Sequence, residues 1–124
     1  MIGDKAWFIE FYSPECPHCQ KFAPTWQEFY DKYHDEINVG RVDRTVDAGE
    51  KLLQMFGVTG CPDFRFLPAN GQEYHAFSKA IGRDLESLAE FTLGNGWRAT
   101  TGVQIGKPNA DAPMDELFSS NFLA

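Results

Sequence analysis

Two cysteines separated by two residues are the part of this sequence whose spacing suggests chemistry most directly. In Cys16-Pro17-His18-Cys19, the first cysteine follows a strand-like segment and opens a segment of helical periodicity. Backbone N–H groups and the macrodipole at a helix N-terminus stabilise a thiolate, and a protonated His18 lowers the pKa of Cys16 further. One helical turn brings Cys19 close enough to form a disulfide. The motif therefore predicts a redox-active dithiol in which Cys16 meets the substrate and Cys19 is buried.

Half of a zinc site has the same spacing, and this is the competing interpretation of the motif. A structural zinc ion needs a second pair of Cys or His ligands at matching spacing. The chain offers only Cys61, His34 and His75 outside the motif, and these are not paired in that way. Redox chemistry is therefore favoured, and no metal or cofactor is predicted. We expect both His34 and His75 to be exposed to solvent.

The elements that must position the motif alternate between strands and helices. Apolar periodicity and turn residues predict, in chain order, β, α, β, α, β, β and α elements over residues 6–12, 17–33, 37–43, 48–56, 63–67, 73–77 and 83–93. This order favours an α/β fold with a mixed sheet and helical cover. Pro24 is expected to kink the first helix. The apolar periodicity weakens past Gly94. We therefore predict one domain over residues 1–94 and a C-terminal extension of mixed order over residues 95–124.

Length and charge limit the classes of partner. The 124 residues suit one domain, and 43% hydrophobic with 15% aromatic residues is a globular composition. The formal net charge of −7 opposes binding to phosphate backbones, so no nucleic-acid partner is predicted. No apolar run reaches the length of a membrane span, and the first residues lack the pattern of a signal peptide. A membrane anchor or signal peptide outside this chain stays open.

The residues around the cysteine pair carry a family resemblance. The segment WFIEFYSPECPHCQKFAPTW at residues 7–26 resembles the active-site segment of a thioredoxin-fold domain. It is most similar to the catalytic a-type domain of protein disulfide isomerases and their membrane-anchored thioredoxin-related relatives. Further matching segments extend the resemblance over residues 6–94, and they are Arg41-Val42-Asp43, Phe56-Gly57-Val58, Gly60-Cys61-Pro62 and Gly82-Arg83. The resemblance implies a thioredoxin-like α/β fold, a central mixed sheet flanked by helices, for residues 1–94.

The resemblance also implies roles for three charged residues. Glu10 falls where the family keeps a buried carboxylate that accepts, through water, the proton of the second cysteine. Burial of a carboxylate raises its pKa towards neutrality, which suits that role; a plain edge-strand Glu is the alternative. Arg41 falls where the family often has a Lys that partners this Glu. Arg83 falls where isomerases keep an Arg that swings in to lower the pKa of Cys19, and a solvated surface charge is the alternative.

Three further residues are expected to line the substrate site. Pro62 matches the family's cis-proline, whose loop faces the dithiol and pairs its backbone with an extended substrate. Pro17 replaces the Gly of the isomerase motif and yields the Cys-Pro-His-Cys of a bacterial periplasmic thiol oxidant, which leaves the direction of catalysis open. Cys61 stands where the family usually has a bulky or hydroxyl residue. Facing Cys16, it is a third redox thiol, a metal ligand or a small buried hydrophobe.

The implied function is thiol–disulfide oxidoreductase activity, with Cys16 and Cys19 forming, reducing or isomerising disulfides. The expected partners are unfolded or cysteine-containing client proteins and a redox protein that recycles the dithiol. The expected location is the lumen of the endoplasmic reticulum or another secretory compartment. Two alternatives remain, a module that only binds clients or a partner, and a metal or iron–sulfur site formed by Cys16, Cys19 and Cys61. The family's first strand and helix have no counterpart before residue 6, so either the chain is truncated or its sheet is smaller.

Overall fold

The computed structural model describes residues 4–69, 71–77 and 82–106. Their elements are, in chain order, β1 (Trp7–Tyr12), α1 (Pro17–Tyr33), β2 (Asn38–Asp43), α2 (Asp47–Met55), β3 (Asp63–Leu67), β4 (Glu73–Ala76), α3 (Leu85–Thr92), a 3₁₀ helix (Gly96–Ala99) and β5 (Val103–Gln104). The predicted strands and helices up to residue 93 are present, with bounds that differ by at most two residues. The predicted α/β class with a mixed sheet is confirmed.

The sheet has the strand order β2-β1-β3-β4-β5. β1 runs parallel to β2 and antiparallel to β3, and β3, β4 and β5 are antiparallel to their neighbours. Because β1 lies between two strands, its backbone is paired on both sides. This central position makes β1 a rigid support for the loop that follows it, which carries the cysteine motif.

Alternation along β1 divides the core into two apolar layers. Ile9 and Phe11 pack on one face of the sheet together with α2, whereas Phe8 packs on the other face against α1 and α3. The ring of Phe8 lies at the centre of an aromatic cluster, 5.3 to 6.3 Å from the rings of Trp26, Phe29, Phe64, Phe66, Phe77 and Phe91. Glu10 lies on the same face as Phe8 by the same alternation, which is the face of the sheet that α1 and α3 cover.

Proline and glycine residues lie at positions of the helices that suit their backbone preferences. Pro17 occupies the first position of α1, where its missing N–H costs no hydrogen bond. Pro24 lies inside α1, and the helix continues through it to Tyr33. Gly57, just past α2, has φ +59°, a conformation that favours glycine, as predicted for the end of this helix.

A buried arginine ties β3 to the end of α2. The side chain of Arg65 donates to the backbone carbonyls of Phe56, Gly57 and Phe64 and pairs with Asp63 at 3.0 Å. A buried guanidinium is stable only when its N–H groups find acceptors, as they do here. The contact fixes the start of the loop between α2 and β3, which carries Cys61.

Residues 95–106 also belong to the folded structure. β5 pairs with β4, and the N–H of Gly106 donates to the carbonyl of Met55 at 2.9 Å. These elements lie in the segment for which the sequence predicts mixed order. Residues 107–124, the rest of that segment, are outside the described part of the chain.

The expectation that His75 is exposed is wrong, because the segment after residue 94 covers it. Only 8% of His75 is accessible to solvent. Its Nδ1 lies 2.8 Å from the Thr100 hydroxyl, and the Trp97 ring packs edge-on against the imidazole at 4.9 Å. His34 at the end of α1 is exposed, as predicted. Among the residues described, no helix has both the length and the apolar character that crossing a bilayer requires.

Candidate active site

Cys16 lies at the junction between the loop after β1 and helix α1. It is the N-cap residue of α1, with extended backbone angles of φ −81° and ψ 120°. Its side chain is partly exposed. A hydrogen bond from the Cys61 side chain, together with the backbone N–H groups of Cys19 and His18, lowers the pKa of Cys16 to about 7. A substantial fraction of Cys16 is therefore thiolate at neutral pH, which is the form that attacks disulfides.

Cys19 occupies the first turn of the same helix but faces the interior. It is buried, with 2% of its surface accessible. Burial raises the pKa of Cys19, and the hydrogen bond with the Cys61 side chain raises it further. The two cysteines of the motif are thus placed as predicted, an accessible thiol of low pKa and a buried thiol of high pKa.

Glu10 is fully buried in the central strand, so it is not an edge-strand residue. One carboxylate oxygen accepts from Arg41 Nε at 3.2 Å, whereas Oε2 has no hydrogen-bond partner in the part of the chain that is described. Burial raises the pKa of Glu10 to about 7, against the opposing effect of Arg41. A carboxyl group with this pKa can accept and release a proton near neutral pH.

The pairing of Arg41 with Glu10 follows from strand register. The parallel β1–β2 ladder places Glu10 opposite Arg41. The guanidinium also stacks over the Tyr12 ring, with its central carbon 3.8 Å from the ring centroid. Arg41 therefore contacts both the Tyr12 ring and one oxygen of Glu10, while the other oxygen has no hydrogen-bond partner among the described residues.

The loop before β3 brings the third cysteine to the motif. The Cys61–Pro62 peptide bond is cis, and Pro62 is buried. The Cys61 carbonyl accepts a hydrogen bond from Cys16 Sγ at 3.3 Å, and the Cys61 Sγ lies 2.9 Å from Cys19 Sγ. Burial raises the pKa of Cys61. This loop therefore contacts both cysteines of the motif.

Two arginines hold this loop from either side. Arg44 Nη1 donates to the Gly60 carbonyl at 2.7 Å, and Arg83 Nη2 donates to the Pro62 carbonyl at 3.3 Å. The Arg83 guanidinium also lies over the Phe64 ring. Arg83 is thus part of the site rather than a solvated surface charge, although its proposed effect on Cys19 stays a prediction. Sequence reasoning missed Arg44, whose only signal was its place directly after β2, at the same sheet edge as the motif.

The two residues between the motif cysteines are exposed. Pro17 and His18 both lie on the outer surface of the first turn of α1. His18 contributes its backbone N–H to Cys16, while the effect of a charged imidazole stays a prediction. Both side chains are accessible to a bound substrate.

The three cysteines are also a set of soft metal ligands. Their sulfur atoms all lie within 4.8 Å of one another. Three thiolates suit a three-coordinate soft ion, but they leave tetrahedral zinc one ligand short within the described residues. The raised pKa values of Cys19 and Cys61 favour the protonated thiols over the thiolates that a metal needs. Disulfide chemistry therefore fits the cluster better than metal binding.

We expect Cys61 to control the reactivity of Cys16. Replacing it with Ala removes the side-chain hydrogen bond that most lowers the pKa of Cys16, so the pKa should rise from about 7 towards its ordinary value of 9.0. The rate of Cys16 alkylation by iodoacetamide in the reduced chain, measured against pH, reports this pKa. Cys61→Ser keeps a donor at the position and is the matched control. A Cys61→Ala profile that coincides with the wild type would contradict the assignment.

Comparison with known proteins places the chain in a family. The thioredoxin family model matches residues 2–92. Human protein disulfide-isomerase A2 is 33% identical over 108 residues, which cover 86% of this chain and 19% of that protein. Protein disulfide-isomerase A6 of Mesocricetus auratus is 38% identical over 91 residues, 73% of this chain and 20% of that protein. The chain thus spans about a fifth of these relatives.

Solved structures agree with the sequence comparison. The J-Trx1 fragment of ERdj5 superposes with a TM-score of 0.64 at 31% identity, covering 78% of this chain and 44% of that chain. The first two thioredoxin domains of Saccharomyces cerevisiae Eps1p give a TM-score of 0.59 at 30% identity, covering 71% of this chain and 34% of that chain. The resemblance expected from residues 7–26 is confirmed. The chain belongs to the thioredoxin family, as a thioredoxin-fold domain related to the protein disulfide isomerases.

Proposed function

We propose that this chain is a thiol–disulfide oxidoreductase that acts on disulfides and cysteines of client proteins through Cys16 and Cys19. The main observation in support is that the two thiols differ in burial and in pKa. Cys16 is accessible at a helix N-terminus with a pKa of about 7, whereas Cys19 lies buried beside it with a raised pKa. This asymmetry supports attack on the client by Cys16 and resolution by Cys19.

The first step is attack by the Cys16 thiolate on a client disulfide. A bond forms between Cys16 Sγ and one client sulfur, and the second client sulfur leaves as a thiolate. The helix N-terminus and the neighbouring N–H groups stabilise Cys16 as a thiolate before the attack. The product is a mixed disulfide between the enzyme and its client.

The second step releases the client and needs a base. Cys19 is a thiol at neutral pH, so it must lose its proton before it attacks Cys16 Sγ. Glu10, with a pKa of about 7 and one unpartnered oxygen, is suited to take that proton. The Cys16–Cys19 disulfide then forms, and the first client sulfur leaves as a thiolate.

The same steps in reverse oxidise a client dithiol. A client thiolate attacks the Cys16–Cys19 disulfide, and a second client thiol resolves the mixed disulfide, which leaves the chain reduced. A separate redox protein then restores the chain to its starting state. The potential of the Cys16–Cys19 couple decides which direction dominates.

The loop at Cys61 and Pro62 is proposed as the client-binding surface. Its support is the position of the Cys61 carbonyl, 3.3 Å from Cys16 Sγ. A client strand that paired with the backbone of this loop would lie beside the nucleophile. The exposed Pro17 and His18 border the same opening. The isomerase relatives support a secretory compartment, such as the endoplasmic reticulum, as the place of action.

Reduction of insulin disulfides tests the proposal. In a glutathione buffer, catalytic amounts of the reduced chain should accelerate insulin precipitation, and Cys16→Ser should not. Refolding of scrambled ribonuclease then separates isomerase from reductase activity. Equilibration with glutathione mixtures gives the potential of the couple. A wild-type chain that is folded but no faster than glutathione alone would reject the oxidoreductase and leave a module that only binds clients.

A further inference from the structure

The sulfur of Cys61 forms no covalent bond in the two-cysteine mechanism, although it contacts the sulfur of the buried Cys19. The distance between Cys61 Sγ and Cys19 Sγ is 2.9 Å. All three sulfur atoms lie within 4.8 Å of one another. A disulfide has an S–S distance of about 2.05 Å, so the Cys19–Cys61 pair is less than an ångström from bonding distance.

Packing alone does not account for this contact. Cys61 is only partly buried, and it is absent from both apolar layers of the described core. Its side chain instead meets the sulfur of Cys19 and affects the pKa of both motif cysteines. Cys61 therefore lies where it can take part in thiol exchange.

The loop that carries Cys61 is held firmly against the motif. Arg44 fixes the carbonyl of Gly60, and Arg83 fixes the carbonyl of Pro62. When Cys16 is a protonated thiol, the hydrogen bond from Cys16 Sγ to the Cys61 carbonyl adds a third link. These contacts flank Cys61 on both sides, so they hold the backbone that carries its side chain against the motif.

We propose that Cys61 is a third redox thiol that exchanges with the Cys16–Cys19 disulfide. The Cys61 thiol loses its proton as it attacks Cys19 Sγ, a Cys19–Cys61 bond forms, the Cys16–Cys19 bond breaks, and Cys16 leaves as a thiolate. The proton released by Cys61 is taken up by Cys16 or by solvent, so the step is balanced in protons as well. The number of disulfides and electrons is unchanged, so no oxidant is consumed. This inference rests on the proposed oxidoreductase function and deepens it.

The exchange gives the oxidised chain a second form with different reactivity. In the Cys16–Cys19 form, the accessible sulfur accepts attack by a client thiolate. In the Cys19–Cys61 form, Cys16 is free to attack a client disulfide while the buried pair stays oxidised. An oxidised chain can then still capture clients that contain disulfides, and Cys19 cannot release them until the buried bridge opens.

Two single variants test the geometry. Reduced Cys16→Ser and Cys19→Ser are each treated with oxidised glutathione, blocked with N-ethylmaleimide and digested with trypsin. A bridge to Cys61 links the tryptic peptides of residues 6–21 and 52–65. From the 2.9 Å contact, we expect this product to be at least about tenfold more abundant in Cys16→Ser than in Cys19→Ser.

The wild-type chain tests whether the second form occurs beside the first. The chain is oxidised to one disulfide, labelled with N-ethylmaleimide and fragmented by mass spectrometry. Each molecule then has one free cysteine. We expect some molecules to carry the label on Cys16 and others on Cys61, and we expect no label in the oxidised Cys61→Ser control, in which Cys16 and Cys19 are joined. Label on Cys61 alone, or no linked peptide in oxidised Cys16→Ser, would overturn the proposal. Insulin reduction in glutathione buffer by an unlabelled portion of the same wild-type preparation separates this failure from failure of the oxidoreductase function.

Discussion

Cys16→Ser should abolish disulfide exchange, whereas Cys19→Ser should accumulate mixed disulfides with clients. Loss of Cys16 removes the accessible thiol of low pKa, and neither Cys19 nor Cys61 replaces it because burial raises the pKa of both. We expect insulin reduction to fall by about three orders of magnitude or more. In Cys19→Ser the first step proceeds and the second lacks its nucleophile.

Non-reducing gels and mass spectrometry check the trapped state. A reduced Cys19→Ser chain mixed with a disulfide-bonded client should yield a covalent complex that dithiothreitol separates by reducing the mixed disulfide. The double variant of Cys19→Ser and Cys61→Ser should trap at least as well, since Cys61 is then unable to resolve the complex. Traps that form through Cys61 in Cys16→Ser, with turnover retained, would reverse the assignment of the nucleophile.

Glu10→Gln should slow release of the client far more than its capture. The buried Cys19 cannot pass its proton directly to water, so a carboxyl with a pKa of about 7 is its suitable acceptor. Gln has the same shape but accepts no proton. We expect resolution of the mixed disulfide to slow about a hundredfold, with attack by Cys16 nearly unchanged. Stopped-flow measurement of the two phases separates these rates.

An exposed carboxylate serves as the matched control for this change. Glu28→Gln on the outer surface of α1 removes the same formal charge without touching the buried site. Its two rates should equal those of the wild type. Equal slowing of both phases in Glu10→Gln, or of neither, would remove Glu10 from the proton transfer.

The raised pKa of Glu10 also predicts how the stability of the folded chain depends on pH. Its pKa rises from its ordinary 4.5 to about 7 in the folded chain, so the protonated carboxyl stabilises the fold at low pH. This contribution is full below pH 4.5 and is lost progressively as the pH rises from there through about 7. Denaturant unfolding of the reduced chain should therefore show Glu10→Gln gaining up to about 3 kcal/mol on the wild type between pH 5 and pH 8. A difference that is constant with pH would contradict the raised pKa.

Local pattern was sufficient to predict the elements that form the site. The β-rich run at 7–12 and the helical spacing after Pro17 placed Cys16 at a strand-to-helix junction, and the structure has this junction. Burial of Glu10 was implied by the family resemblance rather than by local pattern, and the structure places Glu10 fully buried in a central strand. The strand and the helix each depend on a short stretch of chain, whose apolar periodicity can be recognised in the sequence.

Features that depend on distant contacts were not predictable in the same way. The Cys19–Cys61 contact joins residues 42 apart and depends on how two arginines hold a loop. His75 alternates like an exposed strand residue, yet Trp97 and Thr100 cover it from a segment with little periodic signal. A strand as short as β5, with two residues, carries no period to detect.

The short strand β5 covers part of a sheet edge that would otherwise be open to pairing with another chain. A strand at the rim of a sheet exposes unpaired N–H and C=O groups, which invite another chain to pair with them. β5 covers part of the rim of β4, opposite Glu73 and Tyr74, and its own two residues leave little length for a further strand. Since the thioredoxin match ends at residue 92, the chain shields this rim with residues beyond its family core. A fragment ending at residue 94 would present β4 as a bare rim and would be prone to aggregate.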